Sequence, residues 1–290
     1  MALLLGFGFW LLPPSSPPEP PSSPTRVESG RPAALVHHLA TPETRTLPAP
    51  SGDANNLYAR KPETNQVEFR VVDGLAIAYG DVLLGKPEAG FAGDRGVSET
   101  PTPQLWENPE IPYAINPDLP NPKRVEQAIE YFNQHTPVKF VPYQDQKDAL
   151  VFEQGTEHCL SYLGKVGGLQ PIRLSDQCQT QEILHEMMHA LGFIHEHSRP
   201  DRDQYVHVLW ENIDPNYAVQ FAMVPDSFTE AIHGAPFDYH SVMIYRPNAF
   251  AVKDDLVTLK PAGTQPISPS NEGLSAGDLQ RLNRLYSGRE

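Results

Sequence analysis

The thirteen residues HEMMHALGFIHEH, from His185 to His197, constrain this chain more than any other stretch, because they hold four histidines and two glutamates. His185 and His189 are four apart, so on a helix both imidazoles leave the same face one turn apart. Two rings so placed can reach one zinc ion at about 2.0–2.1 Å. Gly192 adopts positive φ readily and can stop the helix. The turn it permits would bring His195 back to the same ion, whereas a continued helix would carry it out of reach. Glu186, beside the first of these histidines, can contact a metal-activated water without being a ligand. His197 would point away and reads as a surface or packing residue. A bare HExxH arises by chance on solvated helices, but the full HExxHxxGxxH fixes further positions and makes that explanation a poor one.

The rest of the chain narrows the partners. Of 290 residues, 36 are acidic and 22 basic, a net charge of −14, and no block of Lys and Arg occurs. Nucleic acid and anionic membranes are therefore not expected as main partners. The two cysteines, Cys159 and Cys178, exclude a CxxC zinc knuckle and a disulfide-rich scaffold. Their spacing alone leaves one disulfide or two buried thiols open. The apolar run MALLLGFGFWLL, residues 1–12, is far shorter than the ~20 residues of a membrane helix. It resembles the core of a secretory signal, although no Lys or Arg precedes it and no A-x-A site follows, and export is expected.

From Pro13 to Pro50 the chain is rich in Pro, Ser and Thr and should stay extended or disordered. EFRVVDGLAIAYGDVLL, from Glu68, reads as a hairpin about an Asp-Gly turn, and a Gly-rich loop follows to Gly96. Behind Pro122, Val125, Ala128, Ile129 and Phe132 fall at helical spacing. Short strands are expected at VKFVPY, ALVFEQ, HCLSYLG and PIRLS. The next helix is TQEILHEMMHALG, with Thr180 as N-cap, and a terminal helix opens on a Ser275–Asp278 capping pair. This order predicts an α+β fold with an N-terminal portion to about residue 96 and a larger domain from 97 to 290.

HEMMHALGFIHEHSRPDRDQYVHVLWENI resembles the astacin family within the metzincin clan. Its longer motif, GFxHExxRxDRD, falls on Gly192, Phe193, His195, Glu196, Arg199, Asp201, Arg202 and Asp203. SVMIY, from Ser241, resembles the family's Met-turn, and the likeness runs from about Trp106 to Tyr286. The resemblance implies a two-lobed zinc endopeptidase domain with a twisted mixed sheet, an active-site helix and a C-terminal helix. One zinc per chain would be held by His185, His189 and His195, with Glu186 as the acid–base residue and Met243 as an apolar floor. Tyr245 would be a further ligand at rest and would swing to donate a hydrogen bond to the oxyanion. Without the resemblance, Tyr245 and Met243 would read as core residues.

The family also implies a Cys159–Cys178 disulfide, and a strand at HCLSYLG that pairs with extended substrate. FAGD, Phe91 to Asp94, resembles the FxGD propeptide motif whose aspartate binds the catalytic zinc, which makes Asp94 the expected latch of a zymogen. By the same likeness the mature terminus falls near Val97, its ammonium close to Glu196, unless Glu196 pairs with an arginine instead. No Arg or Lys in ISPSNEGLS is placed to read an acidic residue after the cleaved bond, and Arg246 or Lys253 would have to substitute. A secreted monomer acting on protein or peptide substrates is expected, with no membrane span and no accessory modules. The rival reading is a zinc-binding adhesion or ligand-binding protein derived from a peptidase, which would typically have lost Glu186 or a ligand. Narrow or broad specificity stays open.

Overall fold

The computed structural model describes residues 45–46, 58–59, 61–62, 64–89, 91–99, 102–156, 158–232 and 234–288. The apolar run 1–12 and most of the Pro-rich stretch to residue 50 lie outside the described residues. No helix among the described residues is long and apolar enough to cross a membrane.

Ten strands form one mixed sheet. In chain order they are β1 (Arg45–Thr46), β2 (Gln66–Val72), β3 (Leu75–Ala78), β4 (Val82–Gly85), β5 (Arg95–Glu99), β6 (Glu110–Ile115), β7 (Lys139–Pro142), β8 (Ala149–Gln154), β9 (Leu160–Tyr162) and β10 (Leu169–Leu174). Their spatial order is β1-β5-β2-β3-β4-β9-β10-β8-β6-β7. The expected hairpin is β2–β3. Asp73 and Gly74 both take positive φ, 53° and 73°, which suits the right-handed twist of the strands they join. The four later strand expectations correspond to β7, β8, β9 and β10. A second, two-stranded sheet pairs β11 (Val206–Val208) with β12 (Leu259–Pro261).

The N-terminal strands are continuous with the rest of the sheet. β4 pairs in parallel with β9, Val82 opposite Ser161 and Leu83 opposite Tyr162. The strand expected to receive substrate therefore has a neighbour on each side, β4 and β10.

Three helices complete the core. α1 (Lys123–His135) buries Val125, Ala128, Ile129 and Phe132 behind Pro122, the face read from the sequence. α2 (Thr180–Ala190) packs against α1 and beside β9 and β10. Its N-cap is Gln179 rather than Thr180, because the carboxylate of Glu182 reaches back to accept the Gln179 N–H at 2.9 Å. α3 (Ala276–Tyr286) carries the expected Ser275–Asp278 box, and its Tyr286 hydroxyl donates to Leu191 O at the end of α2. Trp106 Nε1 donates to Ala190 O at 2.9 Å, fastening the same helix end from the other side. Cys159 and Cys178 form a disulfide, tying the approach to β9 to the approach to α2.

Candidate metal centre

α2 presents His185 and His189 from one face, and Gly192 ends it as the sequence suggests. Its φ is +94°, Gly192 N–H donates to His189 O at 2.8 Å, and the chain reverses so that His195 faces the other two rings. The Nε2 atoms of His185 and His195 stand 3.1 Å apart.

The fourth member of the cluster is Asp81. Its Oδ1 lies 3.0 Å from His189 Nε2, and its Oδ2 lies 3.3 Å from both His185 Nε2 and His195 Nε2. One atom from each of these four residues falls within 4.8 Å of every other, the only such His/Cys/Asp/Glu group among the described residues. Asp81 Oδ1 and His189 Nε2 are buried and, apart from each other, have no hydrogen-bond partner, as expected of ligand atoms aimed at a cation. His185 Nδ1 sits 2.8 Å from Val242 O and His189 Nδ1 2.8 Å from Phe193 O. These carbonyls can accept only from a protonated Nδ1, which leaves the Nε2 lone pairs free for metal. Three imidazoles and a carboxylate suit zinc.

The four groups shift one another's proton affinities. Burial alone would raise the proton affinity of Asp81, but the imidazoles outweigh it and hold the carboxyl well below its ordinary range. Burial lowers His189 to about 4, against the opposing pull of Asp81, which favours the neutral, ligating ring. For His185 the hydrogen bond and charge of Asp81 overcome burial and leave it raised. Glu186 is 2% exposed, has an unpartnered Oε2, and is pushed well up by burial and by the charge of Asp81.

Asp94, the aspartate expected at the zinc from the FAGD motif, is exposed and away from the cluster. Its carbonyl accepts from Val71 N at 2.8 Å as the chain enters β5. β2, β3 and β4 stand between β5 and β9, so topology keeps Asp94 off the histidines. The aspartate that stands among the histidines is Asp81, from the turn joining β3 to β4. The sequence offered YGD at 79–81 beside FAGD at 91–94, and only strand order distinguishes the two Gly-Asp pairs.

The 241–245 turn also borders the site. Met243 is 1% exposed, and its carbonyl accepts from Glu196 N at 2.9 Å. Asp278 of α3 accepts from Ser241 Oγ at 2.6 Å and Val242 N at 2.9 Å, so the capping residue of the last helix also fixes the carbonyl that orients His185. That second role was not read from the sequence. Tyr245 Oη donates to Tyr79 O at 3.2 Å, next to the Asp81 turn. Glu196 is fully buried and takes the arginine pairing, with Arg281 Nη1 at 2.5 Å and Arg199 Nη1 at 3.2 Å. His197 is a packing residue, wholly buried, with its ring centroid 3.9 Å from that of Tyr245.

A mixed sheet over a helix bearing two histidines, with a third delivered by a glycine stop, defines a single-metal centre with an acidic residue beside it. Comparison with known proteins gives the lineage. The peptidase family described as Astacin matches residues 98–287, and the chain belongs to that family. Zinc metalloproteinase nas-7 of Caenorhabditis elegans is 34% identical over 187 residues, covering 63% of this chain and 48% of that protein. Tolloid-like protein 1 of Homo sapiens is 30% identical over 227 residues, covering 73% of this chain and 22% of its own length. The chain thus spans about half the length, or less, of these curated relatives. High choriolytic enzyme 1 of Oryzias latipes, a hatching enzyme zinc-protease, shares the fold at a TM-score of 0.57 and 32% identity, over 63% of this chain and 93% of that one.

Proposed function

We propose that this chain is a zinc-dependent endopeptidase held latent by its own N-terminal segment. The observation that carries the reading is the convergence of His185, His189, His195 and the Asp81 carboxylate on one point. In this proposal residues to about 96 are the propeptide and 97–290 the catalytic domain, which the family match at 98–287 supports.

His185, His189 and His195 would hold zinc, which would polarise the scissile carbonyl and lower the pKa of a water towards ~7. Glu186 takes the proton from that water and delivers it to the leaving amine. Its buried, unpartnered Oε2 and raised proton affinity suit that exchange. Tyr245, which now donates to a backbone carbonyl at 3.2 Å, donates in the same way to the developing oxyanion. With β4 gone, β9 becomes a free edge and supplies main-chain hydrogen bonds to an extended peptide. In the latent chain β4 fills that edge and Asp81 occupies the position where water would enter. The Cys159–Cys178 disulfide supports secretion, since such bonds persist in oxidising compartments.

The test compares casein digestion by the uncut chain and by the chain freed of its N-terminal segment, each with its zinc content measured. The freed chain should be active and its Glu186→Gln variant nearly inert with zinc retained. Uncut Asp81→Asn should gain only part of the freed chain's activity, because β4 still covers β9, and uncut Asp94→Asn should stay silent. Equal activity in the freed chain and its Glu186→Gln variant would overturn the mechanism, and full activity in the uncut wild-type chain would overturn latency.

A further inference from the structure

Asp81 is not the only place where the N-terminal segment grips the rest of the molecule. Tyr58, 7% exposed, lies in an apolar cluster with Val206, Ile213 and Phe221. Its ring centroid is 6.5 Å from that of Trp210, and Trp210 in turn is 6.3 Å from Phe221. Tyr58 O accepts from Arg202 Nη2 at 3.4 Å. Arg202 is 1% exposed, lies with its guanidinium 5.7 Å from the Trp210 ring centroid, and also donates to His197 O at 2.7 Å. A buried guanidinium with its donors in a fixed fork makes this a shaped seat rather than a passing contact.

Polar contacts continue along the same face. Lys61 Nζ is 2.5 Å from Asp226 Oδ2, and Ser227 Oγ donates to Asn65 Oδ1 at 2.8 Å. The Arg70 guanidinium lies 5.2 Å from the centroid of the Tyr217 ring. Exposed pairs of this kind are individually weak, so the ring of Tyr58 is the main source of affinity here. Within the segment, Tyr58 Oη donates to Glu68 Oε2 at 2.8 Å, which ties the seated ring to β2. β2 leads through β3 to the Asp81 turn, so both grips belong to one folded unit.

We infer that the face formed by Arg202, Trp210, Tyr217 and Asp226 is a second binding site for the N-terminal segment, with Tyr58 as its anchor. Cutting the chain between the segment and the catalytic domain then does not by itself start activity. The severed segment stays bound as a non-covalent inhibitor, and full activity appears only when Tyr58 leaves its seat. This rests on the latency reading above, since it concerns how the Asp81 latch is retained.

The experiment places a site-specific protease sequence in the stretch between Pro87 and Asp94, where Ala89 and Ala92 are exposed, and cuts the full-length protein there. Size-exclusion chromatography and casein digestion follow over a dilution series. Fragments of the otherwise unsubstituted chain should co-elute with low activity. Tyr58→Ala should raise the dissociation constant of the fragment at least tenfold and release activity on dilution, while Tyr58→Phe, which keeps the ring, should lie between. Trp210→Ala removes the other side of the contact and should behave like Tyr58→Ala if that variant folds poorly. The cut Asp81→Asn chain, with β4 still beside β9, should show only part of the freed chain's activity while its fragment stays attached. If the fragment of the unsubstituted chain separates at once, or Tyr58→Ala and Trp210→Ala leave its affinity unchanged, the anchor is wrong. Should Asp81→Asn still unlock activity in that event, the latch itself stands. Silence of every cut form after the fragment has gone would sink the proposed function instead.

Discussion

Three consecutive residues, Tyr79 to Asp81, carry the N-terminal segment to the three histidines. Tyr79 takes φ +50° and Gly80 φ +103°, a tight kink that turns the Asp81 carboxylate onto the histidines and the Tyr79 carbonyl onto Tyr245. Positive φ is unfavourable for a tyrosine, at a cost of order 1 kcal/mol or more, and persists only because burial of the ring holds it. That ring is 5% exposed and stands edge-on to Phe228 at 6.5 Å. Gly80 has no room for a side chain, since a Cβ there would overlap Tyr245 Oη. Gly80→Ala should therefore push the kink off Tyr245 and raise the activity of the uncut chain, read in the same casein assay against wild type. The convergence of His185, His189 and His195 was legible because helical spacing and a glycine stop are local properties. Asp81 was not, because its place depends on β4 lying beside β9, and a Gly-Asp pair says nothing about strand order.

Among the elements, one carboxylate ties the start of β8 to the approach to β10. Asp148, just ahead of β8, accepts from Gly168 N at 2.7 Å and pairs with Lys165 Nζ at 3.0 Å, where β10 begins. Partial burial works to raise its pKa, but the Gly168 bond and the lysine outweigh it and leave it depressed. A depressed carboxyl stabilises the fold at pH values above its unfolded pKa of about 3.9, and that contribution is lost as pH falls through the lower folded value. Asp148→Asn should lower the unfolding midpoint near neutral pH and leave the difference from wild type smaller in acid, measured by urea unfolding across pH 2–7. Helices and hairpin were read well because their apolar spacing, Asp-Gly turn and Ser275–Asp278 box are short-range signals. The second task of Asp278, fixing the 241–243 turn, spans the chain and left no local trace.

For the molecule as a whole, the single cross-link closes a loop of 19 positions between the approach to β9 and the approach to the histidine helix. Loop-closure entropy gives it roughly 3 kcal/mol, so a Cys159→Ser, Cys178→Ser chain should lose about that much in denaturant unfolding while wild type becomes equivalent to it under reductant. The parallel pairing of β4 with β9 has a further consequence, for the life of the molecule before any peptide bond is cut. A bare sheet edge invites other chains to pair with it, which is a common route to aggregation. By covering β9, the N-terminal segment denies that template to its neighbours while the protein is being made and moved. On the proposed function, the strand that would keep substrates out would also keep sister molecules apart, and the chain would become sticky only where and when it becomes active.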